Sequence, residues 1–260
     1  MTILNKILEE KYKEIEKLKE NPVKKKREVM RPSLFQNLQS TVHLQVIAEI
    51  KRASPSKGTI YEGEKLNPMN QALTYEEAGA ACISVLTDTP FFKGSFHDLQ
   101  EVAEAVDLPV LCKDFIVDEI QIDRAKAAGA SVILLIVAAL DDATLERLHA
   151  YAVSLRLEVL VEVHGVEELA RALRIGAKII GVNNRDLKTF TMDLSRTKEV
   201  VAAFPFDENH VLISESGILG EDNAREVSEF GVSGILVGEF LMRSNSVKTA
   251  IQAMQIPLKR

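Results

Sequence analysis

The sequence predicts a (β/α)8 TIM barrel with an extra N-terminal amphipathic helix. Three observations support this fold class: strand-like and helical segments alternate along the chain, the strand segments are almost continuously apolar, and a helix-glycine-strand pattern recurs. Near-continuous apolar strands are typical of parallel strands covered on both faces. Eight strand-helix units in about 250 residues is the usual size of such a barrel. We therefore expect residues 1–260 to form one barrel domain, with 1–43 as an N-terminal helical extension.

The composition is that of an ordinary globular protein. Hydrophobic residues make up 46% of the chain and charged residues 27%, which is enough apolar material for a sizeable core. The net charge of −6 argues against a general nucleic-acid or anionic-membrane binder. The basic run Lys24–Arg27 is more typical of a solvated loop than of a nucleic-acid patch. No apolar run approaches the length of a membrane span, so we expect neither nucleic acid nor membrane as a partner.

The N-terminal segment from Met1 to Glu20 mixes apolar residues with many charged ones. This pattern indicates an amphipathic helix, whereas a signal peptide needs an unbroken apolar region. The two cysteines, Cys82 and Cys112, lie in apolar runs without a CxxC spacing. Such thiols are typical of core residues in a reducing compartment. We therefore expect a cytoplasmic protein.

Four glycines mark the recurring unit, each following a helical segment and preceding an apolar strand. Glycine is expected there because it adopts the left-handed conformation that ends a helix. Their spacing is about two strand-helix units, which predicts a second strand in each gap. The glycines are Gly79, Gly129, Gly176 and Gly231. The predicted strands start at Val46 and continue within 77–86, at Val110–Lys113, within 127–135, at Leu157–Glu162, within 174–182, at His210–Glu215 and within 229–237.

Helical spacing of apolar residues fills the intervening stretches, as in Asp141–Ser154 and Glu221–Phe230. The rival architecture is an open, doubly wound sheet. That fold is expected to carry a glycine-rich phosphate turn after its first strand, and the GxGxxG and GxxxxGK[ST] patterns are both absent. The barrel is therefore favoured.

The odd-numbered predicted strands end in charged residues. Glu49 and Lys51 are two residues apart, so their side chains point the same way. Burying both against apolar helices would cost several kcal/mol each, so we expect them at the mouth formed by the carboxyl ends of the strands, where barrel active sites lie. Simple solvation of strand ends would explain one such strand better than four. The other ends carry Lys113 with Asp114, Glu162 with His164, and Glu215 with Ser216.

Histidines give no metal signal. His164, just beyond a strand, is more typical of a residue that faces solvent or caps the next helix. The other four histidines are scattered without HxxH or carboxylate spacing, so no metal site is predicted.

The last two predicted strands are followed by small residues and glycine, in Ser214–Ile218 and Leu236–Phe240. Such loops let backbone N–H groups approach an anion, and phosphate is the natural ligand. Ordinary turn chemistry explains either loop alone. The pairing of two such loops on adjacent strands favours phosphate.

A family resemblance appears in these motifs. Glu49-Ile-Lys-Arg-Ala-Ser-Pro-Ser resembles the signature of the indole-3-glycerol-phosphate synthases, and the likeness extends through Cys112–Val117, Val161–Val163, Gly181–Leu187 and Glu215–Ile218. It covers the chain from near Leu4 onward. The resemblance implies a (β/α)8 barrel without cofactor or metal. It also implies closure of the indole ring of 1-(2-carboxyphenylamino)-1-deoxyribulose 5-phosphate with loss of CO2 and water, in tryptophan biosynthesis.

The resemblance also implies catalytic roles. Lys113 matches the general acid that stands over the oxyanion formed when the aromatic carbon attacks the sugar carbonyl. Glu162 matches the acid/base group for the hydroxyl that is lost as water. Glu49 is expected to hold the lysine, and Lys51 to meet the substrate carboxylate. The division of the dehydration steps among Lys51, Glu49 and Glu162 stays open.

Substrate-binding positions are implied in the same way. Those for polar groups and phosphate are Asn183, Glu215, Ser54, Ser216, Gly217 and Gly238, with Arg185 nearby. Those for an apolar wall around the aromatic ring are Pro55, Phe92, Phe115, Leu134, Leu187 and Leu236. Core filling is the alternative for the leucines. Glu239 departs from relatives that carry a small hydroxyl residue, and only its backbone N–H is assigned, because its carboxylate would repel phosphate.

The loop Asp88–Ser95 carries two phenylalanines beside a glycine. It is interpreted either as a lid that closes Phe92 over the ring or as a rigid, anchored loop.

Two other functions fit parts of the sequence. An aldolase would use Lys113 as a Schiff-base nucleophile, and a non-catalytic barrel would only bind phosphorylated ligands or a protein. The complete set of acids and bases argues against the second. We expect a small phosphorylated molecule as the substrate, and a monomer.

Overall fold

Eight parallel strands close into a barrel, with helices around it. The computed structural model describes residues 2–20, 30–55, 58–60, 66–186 and 191–259. The basic run at 24–27 and the predicted wall residue Leu187 lie outside the described residues. The predicted (β/α)8 TIM barrel is confirmed.

The barrel strands run in sequence order around the ring, and the first strand closes it by pairing with both the next barrel strand and the last one. A short antiparallel hairpin, β2 with β3, lies in the loop after the first strand. The strands are β1 (Gln45–Ile50), β2 (Ala53–Ser54), β3 (Gly58–Thr59), β4 (Cys82–Leu86), β5 (Val110–Lys113), β6 (Val132–Ile136), β7 (Glu158–Val163), β8 (Ile179–Asn183), β9 (Val211–Glu215) and β10 (Gly234–Val237).

Helices alternate with these strands as predicted. The four glycines of the recurring unit all have positive φ, between 77° and 96°, just after the helices they follow. The helices are α1 (Ile3–Glu20), α2 (Leu34–Ser40), α3 (Pro68–Glu77), α4 (Thr89–Phe92), α5 (Phe96–Ala105), α6 (Glu119–Ala127), α7 (Asp142–Ser154), α8 (Val166–Arg174), α9 (Ser195–Val201), α10 (Glu221–Glu229), α11 (Glu239–Arg243) and α12 (Val247–Met254), with a 3-10 turn at Val137–Ala139.

The apolar core has two parts, one between the strands and the surrounding helices and one inside the barrel. Strand residues such as Ile47, Leu111 and Leu160 fill the barrel interior. Helix α2 closes the end formed by the amino termini of the strands, where Leu34 and Leu38 pack against the same interior cluster. The barrel is therefore closed with apolar side chains at this end, which we call the bottom.

A partly buried contact on β7 anchors this closure. The Glu158 carboxylate accepts hydrogen bonds from Ser33 Oγ (2.6 Å), Leu34 N (2.7 Å) and Phe35 N (3.1 Å). These donors stand at the N-terminus of α2, where backbone N–H groups lack intrahelical partners. One side chain thus satisfies the helix terminus and fixes α2 beneath the barrel.

Alternation along the strands decides what faces the opposite end. Side chains two residues apart share a face, so Glu49 follows Ile47 on the interior side of β1 and Glu162 follows Leu160 on that of β7. The carboxyl ends of the strands therefore place charged residues directly above the apolar interior. We call this end the mouth.

The remaining general expectations concern thiols and membranes. Cys82 and Cys112 are buried and free, and burial raises the pKa of both thiols, that of Cys112 to about 12. Among the described residues no helix is long and apolar enough to cross a membrane.

Candidate active site

A cavity at the mouth brings together nearly all the residues that the sequence pointed to. The two exceptions are Leu187, which is outside the described residues, and Glu215, which lies beneath the cavity instead of lining it. The predicted residues that line the cavity are Glu49, Lys51, Ser54, Pro55, Phe92, Lys113, Phe115, Leu134, Glu162, Asn183, Arg185, Ser216, Gly217, Leu236, Gly238 and Glu239.

Lys113 stands at the centre of the charged part of this site. Its Nζ lies 3.3 Å from Glu215 Oε2, 3.7 Å from Glu162 Oε2 and 4.0 Å from Glu49 Oε2. These partners come from β9, β7 and β1, and they meet because the carboxyl ends of parallel strands converge at one end of a barrel. Three carboxylates thus surround one ammonium group.

This arrangement keeps Lys113 charged. Burial opposes the charge, but the three carboxylates outweigh it, led by Glu215, and the pKa of Lys113 is raised. Only 15% of the side chain is exposed, so solvent screens these interactions weakly. An amine that is protonated at neutral pH can donate a proton at this position or stabilise a negative charge.

The same cluster makes Glu215 harder to ionise. Burial, aided by the charges of Glu162 and Glu49, outweighs the attraction of Lys113 and raises the pKa of Glu215 to about 7. The cluster holds more carboxylates than cations, because Lys51 and Lys113 face Glu49, Glu162 and Glu215. One carboxyl in the group therefore retains a proton more readily than an isolated carboxyl would.

A second ion pair sits beside the first. Lys51 Nζ lies 2.7 Å from Glu49 Oε1. Burial opposes ionisation of Glu49, but the charges of Lys51 and Lys113 outweigh it, and the pKa of Glu49 is lowered. Glu49 therefore stays a carboxylate and bridges the two lysines.

Two glycines provide the space that these carboxylates occupy. A Cβ added at Gly181 would overlap Glu215 Oε1, and one added at Gly238 would lie 2.5 Å from Glu49 Oε1. Sequence reasoning assigned Gly238 to phosphate binding only, and it missed Gly181. The position of Gly181 inside a predicted strand could have pointed to it, because a glycine inside a strand often marks a place where another group approaches the backbone closely.

Glu162 is held by its neighbours on the next strand. Asn183 Nδ2 donates to Glu162 Oε1 at 3.0 Å, and Asn183 Oδ1 accepts from Arg185 N at 3.0 Å. The same asparagine thus fixes both a carboxylate and the start of the loop after β8. Of the two expectations for His164, facing solvent is wrong, because its side chain is only 10% exposed and its ring lies against Glu162 and Glu168. Its contact with the next helix is with Glu168 on the first turns of α8.

The apolar wall of the cavity combines loops with the N-terminal helix. The rings of Phe92 and Phe115 lie 6.0 Å apart between centroids. Ile3, Leu4 and Ile7 of α1 complete the wall. Sequence reasoning recognised α1 as amphipathic but did not predict that its apolar face lines the site, because the packing partner of that face is not encoded locally.

The loop that carries Phe92 is anchored. Asp88 caps α4 by accepting from Phe91 N at 2.8 Å and Phe92 N at 3.3 Å. Lys11 of α1 contacts Asp88 at 3.1 Å and Asp114 at 2.7 Å. This favours the anchored alternative for the loop over a freely closing lid.

Lys11 itself was missed by the sequence analysis. It is 1% exposed, and its pKa is raised because the charges of Asp114 and Asp88, with a hydrogen bond to Asp114, outweigh the opposing effect of burial. A charge this deeply buried needs such partners. Lys11 therefore fastens α1 to the loops that follow β4 and β5, next to Lys113.

The opposite side of the cavity has the features expected for an anion. Ser54 Oγ is buried and has no hydrogen-bond partner among the described residues. Ser216 and Gly217 both have left-handed backbones, with φ of 66° and 81°. The carboxylate of Glu239 lies 3.3 Å from Arg243 Nε, so its charge is partly neutralised. No group of three metal-ligating side chains occurs among the residues that the structure describes.

Comparison with protein families gives one match across nearly the whole chain. The sequence model described as indole-3-glycerol phosphate synthase matches residues 4–254. A protein of that name from Oceanobacillus iheyensis is 50% identical over 259 residues, covering 99% of this chain and 98% of the relative. Another, from Exiguobacterium sibiricum, is 51% identical over 255 residues, covering 98% of this chain and 97% of the relative.

Two solved structures with the same fold have a lower sequence identity to this chain. A thiamine phosphate pyrophosphorylase from Pyrococcus furiosus superposes with a TM-score of 0.61 at 19% identity, covering 84% of this chain and 96% of that one. A 3-hexulose-6-phosphate synthase gives a TM-score of 0.62 at 17% identity, covering 83% of this chain and 100% of that one. At these identities the similarity shows the barrel fold alone.

Proposed function

The chain belongs to the family of indole-3-glycerol phosphate synthases, carboxy-lyases of tryptophan biosynthesis, and we propose that the charged cluster at its barrel mouth carries out the chemistry. The reaction closes the indole ring of 1-(2-carboxyphenylamino)-1-deoxyribulose 5-phosphate with loss of CO2 and water. The observation that carries the proposal is the placement of Lys113 among three carboxylates above the apolar interior.

Ring closure needs a positive charge at the sugar carbonyl. Attack of the aromatic carbon on that carbonyl forms a C–C bond and leaves an oxyanion. Lys113 is assigned as the general acid that protonates this oxygen, because its raised pKa keeps it charged. The carboxylate of the ring then leaves as CO2, and its bonding electrons return to the ring.

Dehydration needs an acid for the departing hydroxyl and a base for the proton lost from the ring. Glu162, fixed by Asn183, is assigned to the hydroxyl. Lys51 is assigned to the substrate carboxylate and is available as a second acid. Ionised Glu49 holds Lys51 in place and is assigned as the base that takes the proton lost from the ring. Each positioned acid or base is expected to contribute roughly 10²–10⁴-fold to the rate.

Glu215 receives a role different from the substrate contact expected from its sequence position. It lies under Lys113 at 3.3 Å and does not line the cavity. Its assigned role is to hold the ammonium group and to balance its charge when the substrate carboxylate arrives. Its pKa of about 7 allows it to take or lose a proton near neutral pH.

Substrate binding is divided between the two sides of the cavity. Phosphate is assigned to Ser54, Arg185 and the backbone at 216–217 and 238–239. The aromatic ring is assigned to the wall that Pro55, Phe92, Phe115, Leu134, Leu236 and the apolar face of α1 form. Leu187 stays a prediction from the sequence. The separation of a polar end from an apolar end suits a substrate with a phosphate at one end and an aromatic ring at the other.

The proposal includes the setting in which the enzyme works. Residues 1–260 are taken as one domain with 1–43 as its N-terminal extension. The partner is a small phosphorylated substrate, and the enzyme is taken to be a cytoplasmic monomer. Neither nucleic acid nor membrane is involved.

An aldolase is the alternative that uses the same lysine. Schiff-base formation requires a neutral amine, whereas three carboxylates raise the pKa of Lys113. The site therefore favours acid catalysis over imine formation. Borohydride reduction in the presence of substrate distinguishes the two, because only an imine is trapped as a permanent adduct on Lys113.

A fluorescence assay for the indole product tests the assignment. We expect Lys113→Ala and Glu162→Gln each to lower kcat by roughly 10²–10⁴-fold while thermal unfolding stays cooperative. Lys248→Ala, at an exposed position on α12, is the control and is expected to keep wild-type activity. Wild-type turnover by Lys113→Ala would rule out the acid role, and a borohydride adduct on Lys113 would support the aldolase.

A further inference from the structure

His164 lies directly behind Glu162, outside the cavity lining. Its side chain is 10% exposed, and its two ring nitrogens face two different carboxylates. Nε2 lies 3.6 Å from Glu162 Oε1, and Nδ1 lies 3.2 Å from Glu168 Oε2 on α8. The backbone N–H of His164 also donates to Glu168 Oε2, at 2.8 Å. The imidazole therefore links a residue of the active site to a residue of the surrounding helix layer.

The contact with Glu168 fixes the orientation of the ring. An ionised carboxylate only accepts hydrogen bonds. The pKa of Glu168 is lowered, because its hydrogen bonds with His164, the charge of His164 and that of Arg171 outweigh the opposing effect of burial. Glu168 is therefore ionised, and the proton between the two residues belongs to Nδ1 of His164. In the neutral ring, Nε2 would then carry a lone pair.

The other nitrogen points at the active site. Nε2 of His164 is buried and has no hydrogen-bond partner among the described residues. A lone pair on Nε2 facing the carboxylate oxygen of Glu162 would be repulsive, whereas a proton between the two atoms makes the contact attractive. A buried polar atom of this kind is costly when unpaired. The geometry therefore favours a proton on Nε2, which makes the 3.6 Å contact with Glu162 an ion pair.

We propose that His164 is a positioning residue for Glu162: the protonated imidazole forms an ion pair with Glu162 across 3.6 Å, and Glu168 holds the ring in this orientation. This inference rests on the proposed function, in which Glu162 is the acid/base group of the dehydration. It adds a residue that neither touches the cavity nor belongs to the charged cluster around Lys113.

The proposed contact explains how Glu162 is oriented. Asn183 Nδ2 donates to Oε1 of Glu162 at 3.0 Å, and His164 Nε2 approaches the same oxygen. The other oxygen, Oε2, lies 3.7 Å from Lys113 Nζ at the cavity. The hydrogen bond from Asn183 and the ion-pair contact with His164 both fall on Oε1, which leaves Oε2 as the oxygen that exchanges a proton with the substrate. When Oε2 accepts a proton, an O–H bond forms there and His164 keeps its own proton.

The surrounding charges favour the protonated ring. Burial opposes the charge on His164, but the hydrogen bond to Glu168 and the charges of Glu162, Glu168 and Glu215 outweigh it, so the pKa of His164 is raised. Lys113, on the far side of Glu162, is the nearby cation that counteracts them. Since the folded pKa is raised, the proton is present below that pKa and lost as the pH rises through it.

Steady-state kinetics of His164→Gln test the proposal. Glutamine can donate a hydrogen bond but cannot titrate. We expect kcat to fall at least about tenfold with KM changed less than about twofold, which marks loss of an interaction made in the chemical step. We also expect the decline of wild-type kcat at high pH, caused by deprotonation of His164, to be absent in the variant. His149→Gln, a half-buried histidine on α7, is the control and is expected to leave kcat and its pH profile unchanged.

A double-mutant cycle separates positioning from a general structural role. Because His164 acts through Glu162, adding His164→Gln to Glu162→Gln is expected to cause no further loss of kcat. Equal losses in both backgrounds would overturn the proposal. Glu168→Gln provides a second test if His164→Gln folds poorly, since it leaves the ring in place but removes its anchor, and we expect a smaller fall in kcat.

Nitrogen-15 spectra of the histidine rings provide a readout independent of turnover. The five histidines give few signals, and His164 is identified by the one missing in His164→Gln. We expect its pKa to be lower in Glu162→Gln and in Glu168→Gln than in the wild type. A pKa of His164 that is unchanged in Glu162→Gln would overturn the proposed ion pair. If Glu162→Gln keeps full activity, the proposed function fails; if it is inactive but His164→Gln matches the wild type, only the present inference fails.

Discussion

The two ends of strand β7 carry glutamates that the fold uses in opposite ways. Glu158, at the bottom, accepts three hydrogen bonds from the N-terminus of α2, at 2.6–3.1 Å. Glu162, four residues further along the strand, accepts one from Asn183 and stands 3.7 Å from Lys113. Both side chains point into the barrel from the same strand. The residue type and its orientation therefore do not decide the role; the surroundings do.

The Glu158 carboxylate at the bottom is satisfied by three hydrogen bonds, whereas several polar atoms at the mouth have none. The buried oxygens of Glu215, Ser54 Oγ and His164 Nε2 all lack a hydrogen-bond partner among the described residues. Leaving such groups unpaired costs stability. The glutamate at the bottom therefore stabilises the fold, whereas the unpaired polar atoms at the mouth are available to bind a polar substrate at some expense of stability.

The largest expected effects come from exchanging each of these glutamates for glutamine. Glu162→Gln is expected to lower kcat by roughly 10²–10⁴-fold with little change in the free energy of unfolding. Glu158→Gln is expected to lower the free energy of unfolding by about 1–3 kcal/mol, because the charge at the α2 terminus is lost, while kcat stays near the wild-type value. Urea unfolding and the indole fluorescence assay measure the two quantities. A strong loss of kcat in Glu158→Gln would contradict the division between the two ends.

Local patterns in the sequence were sufficient to predict the barrel strands and the charged residues at the mouth. Alternation along β1 placed Glu49 and Lys51 on one side, and the four recurring glycines fixed the number of strands. Both arguments depend on neighbours in sequence. Once the barrel is assumed to close, the carboxyl ends of all its strands lie at one end. The charged ends of the odd-numbered strands therefore pointed to the mouth.

The residues that were missed depend on contacts between distant segments. Lys11 is fixed by Asp88 and Asp114, which follow different strands, and nothing near Lys11 in the sequence specifies them. Gly181 matters because Glu215 on the adjacent strand fills its space. The direction of the His164 ring is set by Glu168 on the next helix. Each case requires the packed structure and not only the order of elements.

An intermediate effect is expected from filling one glycine at each end. An added Cβ at Gly181 would overlap Glu215 Oε1 at the mouth, whereas one at Gly234 would lie 2.9 Å from Leu38 Cδ2 at the bottom. Gly181→Ala is expected to displace Glu215 from Lys113 and to lower kcat about tenfold. Gly234→Ala is expected to keep kcat and to lower the free energy of unfolding by about 1–3 kcal/mol through overpacking.

The same two measurements, activity and urea unfolding, check this pair. Wild-type kcat in Gly181→Ala would show that Glu215 tolerates displacement and is not needed near Lys113. A loss of kcat in Gly234→Ala as large as that in Gly181→Ala would show that strain at the bottom reaches the mouth.

The smallest expected effect concerns the pH dependence of stability. The pKa of Glu215 is raised from 4.5 to about 7 in the folded protein, chiefly by burial. The folded state therefore binds this proton more tightly than the unfolded chain does. The stabilising contribution is complete below the unfolded pKa of 4.5 and is lost as the pH rises through 7. Glu215→Gln does not titrate, so the variant is expected to match the wild type best in acid and to exceed its free energy of unfolding at pH 8.

Urea unfolding of both proteins between pH 4.5 and pH 8 measures this difference. Glu208→Gln, at an exposed position, is the control and is expected to follow the wild type at every pH. A difference between Glu215→Gln and wild type that stays constant with pH would show that Glu215 is ionised throughout. If Glu215→Gln gains stability and loses kcat, the ionised carboxylate at position 215 serves catalysis at the expense of stability. Glu158 at the bottom does the opposite, because it contributes to stability and not to catalysis.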